Sequence, residues 1–161
     1  MKRLTKLTAL AVLILMATAA WAEDTHGTPE AIEPGQLRGA WRVTQTPGEG
    51  GPPPFQMLMV FTRDGGVVET DAGPPNPLQF SPGLGEWKRK VDGSGYVASY
   101  TQLQYDSGQN LIGTFNALID VTLNEAKNTF SGTVRVRFLD VDDALLFEAY
   151  GTVDGKRLPV E

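Results

Sequence analysis

The 161-residue chain carries no cysteine, one histidine and 14 basic against 19 acidic residues, a net charge of −5. Without cysteine there is no disulfide framework, no thiol nucleophile and no lipid anchor of the kind bacterial lipoproteins carry. The acidic balance argues against nucleic acid and against anionic membrane surfaces as partners.

The chain opens on Lys2, Arg3 and Lys6, runs apolar from Leu7 to Ala20, and reaches Ala20-Trp21-Ala22 ahead of Glu23 and Asp24. A basic start, an apolar run and a small-residue cleavage pattern predict a signal peptide over residues 1–22. The run is shorter than the ~20 apolar residues that cross a bilayer. The expected product is therefore an exported, soluble chain of 139 residues, in the periplasm or the medium. Three of the 14 bases and no acids fall in the signal, so 11 bases face 19 acids in the remainder, a charge of −8.

Residues 23–36 are polar, hold two prolines and show no sustained period, which predicts a flexible leader. From Leu37 the pattern becomes short runs rich in Val, Phe, Tyr, Leu and Thr, separated by Gly, Asp, Asn and Pro. These are expected strands over 37–46, 55–63, 66–71, 85–91, 95–105, 110–123, 129–139 and 144–153. Alternation is clearest where Phe130, Val134, Val136 and Phe138 share one face and Thr133, Arg135 and Arg137 the other. Leu145, Phe147, Ala149 and Val153 repeat it in the last run. The phase of the run holding Tyr96, Tyr100 and Tyr105 stays open; Tyr96, Tyr100, Gln102 and Gln104 share one face, and if that face is inward the barrel holds a polar cluster needing partners.

Asp64-Gly65-Gly66 and Asp92-Gly93-Ser94-Gly95 are tight hairpin turns, and further tips are expected at Asp106-Ser107-Gly108-Gln109 and Asp140-Val141-Asp142-Asp143. Strands joined this way predict an all-β domain over 37–161, an eight-stranded antiparallel up-and-down β-barrel whose closure removes exposed edges. The two Pro-rich segments, around Pro52-Pro53-Pro54 and Pro74-Pro75-Asn76-Pro77, are the first and third connections and so share one rim, opposite a rim of tight turns. Long loops at one end and tight turns at the other outline a cup.

Gly39-Ala40-Trp41 at the first strand, with Arg157 after the last predicted strand, resembles the lipocalin and wider calycin pattern. That resemblance implies that Trp41 packs under the closed end of the barrel beside Arg157, with Gly39 part of the same closing signature. A Thr-Asp-Tyr motif, a disulfide and a C-terminal helix, usual in lipocalins, are not evident. The short outline is also similar to the allene oxide cyclase type of barrel, used by cyclising enzymes and by non-catalytic relatives.

Candidate ligand-binding residues follow from the apolar runs. Met57, Met59 and Phe61 share a face of a strand that is apolar on both sides, and Trp87, Tyr100 and Phe115 can complete a deformable lining for a greasy molecule. Plain core packing explains the same pattern. No catalytic residue is identified: the single His26 lies in the leader, which excludes a His-based triad or metal site in the barrel. No cofactor and no metal are expected, since Asp140, Asp142 and Asp143 read as a solvated acidic tip without EF-hand spacing.

Three functions remain in play. The first is a non-catalytic barrel binding a small hydrophobic molecule. The second is a cyclase or isomerase that folds a hydrophobic substrate in its cavity, which requires an inward polar group such as Tyr100 or Asn116. The third is an interaction or inhibitory module contacting proteins through its Pro-rich loops. Membrane insertion as an outer-membrane barrel is disfavoured, because Arg135, Arg137 and Glu148 oppose the apolar face and no aromatic ends the chain.

Overall fold

Alternating apolar and polar residues, cut at Asp-Gly turns, produce strands that cannot bury their apolar faces except against one another. A computed structural model describes residues 37–71 and 80–159 of the chain. The signal peptide and leader expected over residues 1–36, and much of the second Pro-rich connection, lie outside the described residues. The strands are β1 (Gly39–Pro47), β2 (Phe55–Phe61), β3 (Gly66–Asp71), β4 (Gly83–Arg89), β5 (Tyr96–Tyr105), β6 (Leu111–Leu123), β7 (Thr129–Leu139) and β8 (Leu145–Arg157). They close into one barrel in sequence order, each antiparallel to its neighbours, with β1 paired to β8. The expected eight-stranded up-and-down barrel is the fold.

Burial follows the two-residue period. In β2, Met57, Met59 and Phe61 point inward while Gln56, Leu58 and Val60 face out. In β7, Phe130, Val134 and Val136 are buried and Thr133, Arg135 and Arg137 exposed, as the alternation predicts. The hairpin tips are held by aspartates that accept backbone N–H groups. Asp92 Oδ1 takes the Ser94 N–H, Asp106 Oδ1 those of Gly108 and Asn110, and Asp140 Oδ1 those of Asp142 and Ala144.

All strands except β3 and β7 differ from the sequence reading at a boundary, by one to four residues. β8 continues four residues past Val153 to Arg157, because closure pairs Trp41 with Arg157 and Val43 with Gly155. Arg157 is thus the last residue of the strand and does not lie beyond it. β4 begins at Gly83 and ends at Arg89, its Gly83-Leu84-Gly85 start paired with Glu69, Val68 and Val67 of β3.

The connections β1–β2, β3–β4, β5–β6 and β7–β8 fall at one end, here the rim; the other three, with the start of β1 and the end of β8, fall at the base. Closure tilts the strands, so register partners climb around the barrel. Trp41 pairs with Met59, Met59 with Glu69 and Glu69 with Gly83; beyond β5, Phe115 pairs with Phe138 and Phe138 with Phe147. On the short path from β1 to β8, Trp41 meets Arg157, far below Phe147. The tilt therefore places Glu69 higher than Trp41.

Candidate functional site

The base is filled with aromatic rings. Trp41 lies 4.9 Å from Phe130, Phe61 lies 6.2 Å from Trp87 and 6.4 Å from Phe130, and Trp87 lies 5.7 Å from Tyr96. Both indole N–H groups are satisfied by backbone: Trp41 Nε1 donates to the Leu37 carbonyl at 2.7 Å and Trp87 Nε1 to that of Thr62 at 2.9 Å. The Arg157 guanidinium sits 4.2 Å from the Trp41 ring centroid and donates to the carbonyls of Arg38 and Lys127. Such a cation over an indole contributes about 0.5–2 kcal/mol, and burial lowers the Arg157 pKa. Gly39 has φ +125°, and a β-carbon there would stand 2.6 Å from Arg157 Nη1, so glycine lets the guanidinium reach across. This end is closed by the packing of these rings and of Arg157.

Above it the interior changes character. Gln45, Glu69, Tyr100 and Gln102 all point inward and are only 5%, 1%, 3% and 3% exposed. β5 resolves the open phase: Tyr96, Ala98, Tyr100 and Gln102 line the inside. The parity of Tyr105 is broken by a register shift between Gln104 and Tyr105. The Tyr100 hydroxyl is directed at Met57 Sδ, 3.8 Å away, and its ring lies 6.3 Å from Phe115. Gln102 Nε2 donates to the Ser81 carbonyl at 3.2 Å. Glu69 and Tyr100 converge on Gly83, where an added β-carbon would stand 2.6 Å from Tyr100 Cδ2 and 2.8 Å from Glu69 Oε2. The absent side chain is what allows a carboxylate and a phenol ring to share that space.

Gln45 Oε1 is buried without a hydrogen-bond partner. A buried acceptor in that condition costs about 1–3 kcal/mol, and an unsatisfied polar atom inside a native interior requires a reason. Gln45 stands next to Phe55 and Val153 in register, one inward position above Val43.

At the rim, the segment before β4 is tied to β5. Phe80 forms a bridge with Gln104, Ser81 N–H donates to the Leu103 carbonyl, and Leu103 N–H donates to Ser81 Oγ. The Phe80 ring lies 5.7 Å from Phe115, which in turn packs 4.9 Å from Phe138. On the β7–β8 hairpin, Leu145 and Phe147 follow the inward parity but rise past the core and are 50% and 55% exposed. The rim thus offers apolar surface above a level of buried polar side chains.

The outer wall holds a groove of about 490 Å³ lined by Arg42, Thr44, Gln56, Ser131, Asp154 and Lys156 among others, and it faces solvent. Asn116 also faces out, accepting the Thr101 hydroxyl at 2.5 Å, which removes it as an inward polar group. Arg137 and Glu148, register partners, approach to 3.6 Å, and the Tyr150 hydroxyl donates to Glu148 at 2.6 Å, raising the Tyr150 pKa. Among the described residues no cluster of three or more His, Asp or Glu side chains is placed to hold a metal.

The structure divides the six residues expected to line a ligand. Met57, Tyr100 and Phe115 sit in the polar upper half; Phe61 and Trp87 belong to the aromatic base, and Met59 pairs in register with Trp41. Glu69 and Gln45 were not singled out in the sequence. The available signal was parity: Glu69 lies two residues past Val67, and Gln45 two past Val43. Searches against protein-family models, curated proteins and solved structures find no match to this chain.

Proposed function

We propose that this protein is an exported binding barrel that takes a small, largely apolar molecule into its upper half without transforming it. The observation that carries the reading is the arrangement inside: an aromatic base below, and above it Gln45, Glu69, Tyr100 and Gln102 buried among Met57 and Phe115, with the Gln45 oxygen left without a hydrogen-bond partner. Binding sites for small molecules combine apolar walls with a few placed polar groups in this way. Export is supported by the basic, apolar and small-residue order of residues 1–22. The contact of Arg157 with Trp41, beside Gly39, supports a calycin-like relationship.

One observation favours a second reading, a cyclase or isomerase of the allene oxide cyclase type. Tyr100 is an inward hydroxyl-bearing side chain near a buried carboxylate, Glu69, above an apolar floor, and such a pair can move a proton on a substrate held in place.

Native mass spectrometry of the processed protein from its secreted fraction tests the main reading. A co-purifying apolar compound, released on denaturation, is the expected result, and turnover of that compound would favour the second reading. A clean apo mass, unchanged after incubation with mixed lipids and terpenoids, would overturn both.

A further inference from the structure

Two contacts between elements on the barrel surface join opposite charges: Arg137 approaches Glu148 to 3.6 Å and Lys90 approaches Asp120 to 2.6 Å. Arg42 and Lys156 differ. They are register partners of like sign on β1 and β8, both exposed, and neither takes part in an ion pair among the described residues. Like charges set directly opposite one another destabilise a sheet, yet barrel closure brings these two together from opposite ends of a chain that is acidic past residue 22. Both line the outer groove of about 490 Å³. The next outward level of the groove, two residues along each strand and so about 6.6 Å away, is a continuous row of hydrogen-bonding side chains. Ser131, Asp154, Thr44 and Gln56 are register partners in turn, from β7 through β8 and β1 to β2.

We propose that this groove binds an acidic sugar, a hydroxyl-rich ligand carrying a carboxylate, with Arg42 and Lys156 on the carboxylate and the row beside them on the hydroxyls. The site is separate from the barrel interior and does not rest on the binding reading above. An anion placed between two adjacent cations relieves their repulsion, and a guanidinium holds a carboxylate through two parallel hydrogen bonds. Asp154 weighs against a bare inorganic anion, which its carboxylate would repel. On a sugar it accepts from hydroxyls instead, while Thr44, Ser131 and Gln56 both donate and accept, as hydroxyl partners require. The groove falls within the size range of small-molecule sites, and the spacing of its two levels matches a ligand with its acid at one side of a sugar ring and its hydroxyls at the other.

The test is amide NMR titration of the processed protein with a galacturonate trimer, a neutral galactose trimer and sodium sulfate. The acidic trimer should shift the amides of Thr44, Ser131 and Asp154 saturably and bind at least about tenfold tighter than the neutral one. Lys156→Gln should weaken that binding by about tenfold while the melting temperature holds or rises, because the repulsion with Arg42 is removed; a lysine that only supported the fold would lower it. Asp154→Asn should weaken binding of the acidic trimer and strengthen that of sulfate. The neutral trimer binding as tightly as the acidic one would overturn the role of the two cations, and sulfate binding as tightly would reduce the groove to a plain anion site; either overturns the proposal. Saturable shifts from none of the three would overturn the site itself, and leave the reading of the interior untouched.

Discussion

The two halves of the barrel solve opposite problems with the same strands. At the base every polar group that packing encloses is given a partner: two indoles bond to carbonyls, an arginine covers Trp41, and rings lie 4.9 to 6.4 Å apart. Under the rim, polar side chains are buried at a cost, Gln45 Oε1 has no partner, and leucine and phenylalanine stand exposed on the β7–β8 hairpin. A protein selected for stability alone would make both ends alike. The base is thus the better satisfied end of the interior, and on the binding reading proposed above the upper half gives up stability for recognition, as sites commonly do.

The largest expected effect is at the base. Trp41→Ala removes the fully buried ring and leaves Arg157 without its aromatic face, and should cost about 3–5 kcal/mol in chemical denaturation. A smaller loss would mean that the base is not where stability resides. Gly83→Ala should cost about 1–3 kcal/mol, since its β-carbon forces Glu69 and Tyr100 apart, and should weaken ligand binding at the same time.

Gln45→Leu sharpens the comparison, because it should have the opposite sign. Removing an unsatisfied acceptor should leave stability unchanged or raise it by about 1 kcal/mol, while affinity for a donor-bearing ligand falls. Destabilisation comparable to Trp41→Ala would show that Gln45 is structural.

The smallest effect involves the hairpin tips at both ends. The Asp64 carboxyl is held below its ordinary 3.8 chiefly by the Thr62 hydroxyl, that of Asp92 by the Ser94 N–H, and that of Asp106 by the Asn110 side chain. With folded pKa values depressed, the unfolded chain binds protons first, so their stabilisation is present above pH 3.8 and lost as pH falls through the folded values. The melting temperature should drop on acidification below about pH 4, and less so in Asp64→Asn, Asp92→Asn and Asp106→Asn variants. An unchanged acid profile in those variants would remove the turn carboxylates as contributors.

Local signals made most of the fold legible in the sequence. Parity in β2 and β7 and Asp-Gly turns determine strands and hairpins without reference to the rest of the chain. The end of β8 was not legible, because Asp154-Gly155-Lys156 has no apolar alternation of its own and is held between β7 on one side and β1 on the other, the second pairing spanning the whole domain. The start of β4 was hidden likewise, its two glycines giving no apolar signal. For the six proposed lining residues, residue type gave candidates, but height within a tilted barrel depends on closure, so Phe61 and Trp87 of the base could not be separated from Met57, Tyr100 and Phe115 above it. Glu69 was passed over because the short run Val67-Val68-Glu69-Thr70-Asp71 has apolar residues on both faces and so does not show which face is inward.

Past residue 22 only two methionines occur, and they report on different levels. Met57 touches the Tyr100 hydroxyl in the upper half, and Met59 stands beside Trp41 in register. The most direct measurement is methyl NMR of labelled methionine during titration with decanol or with any apolar compound that co-purifies. Binding in the upper half predicts a saturating shift of the Met57 methyl with little change at Met59. Saturable binding that leaves Met57 unmoved, or that moves Met59 more, would contradict a site above the aromatic base.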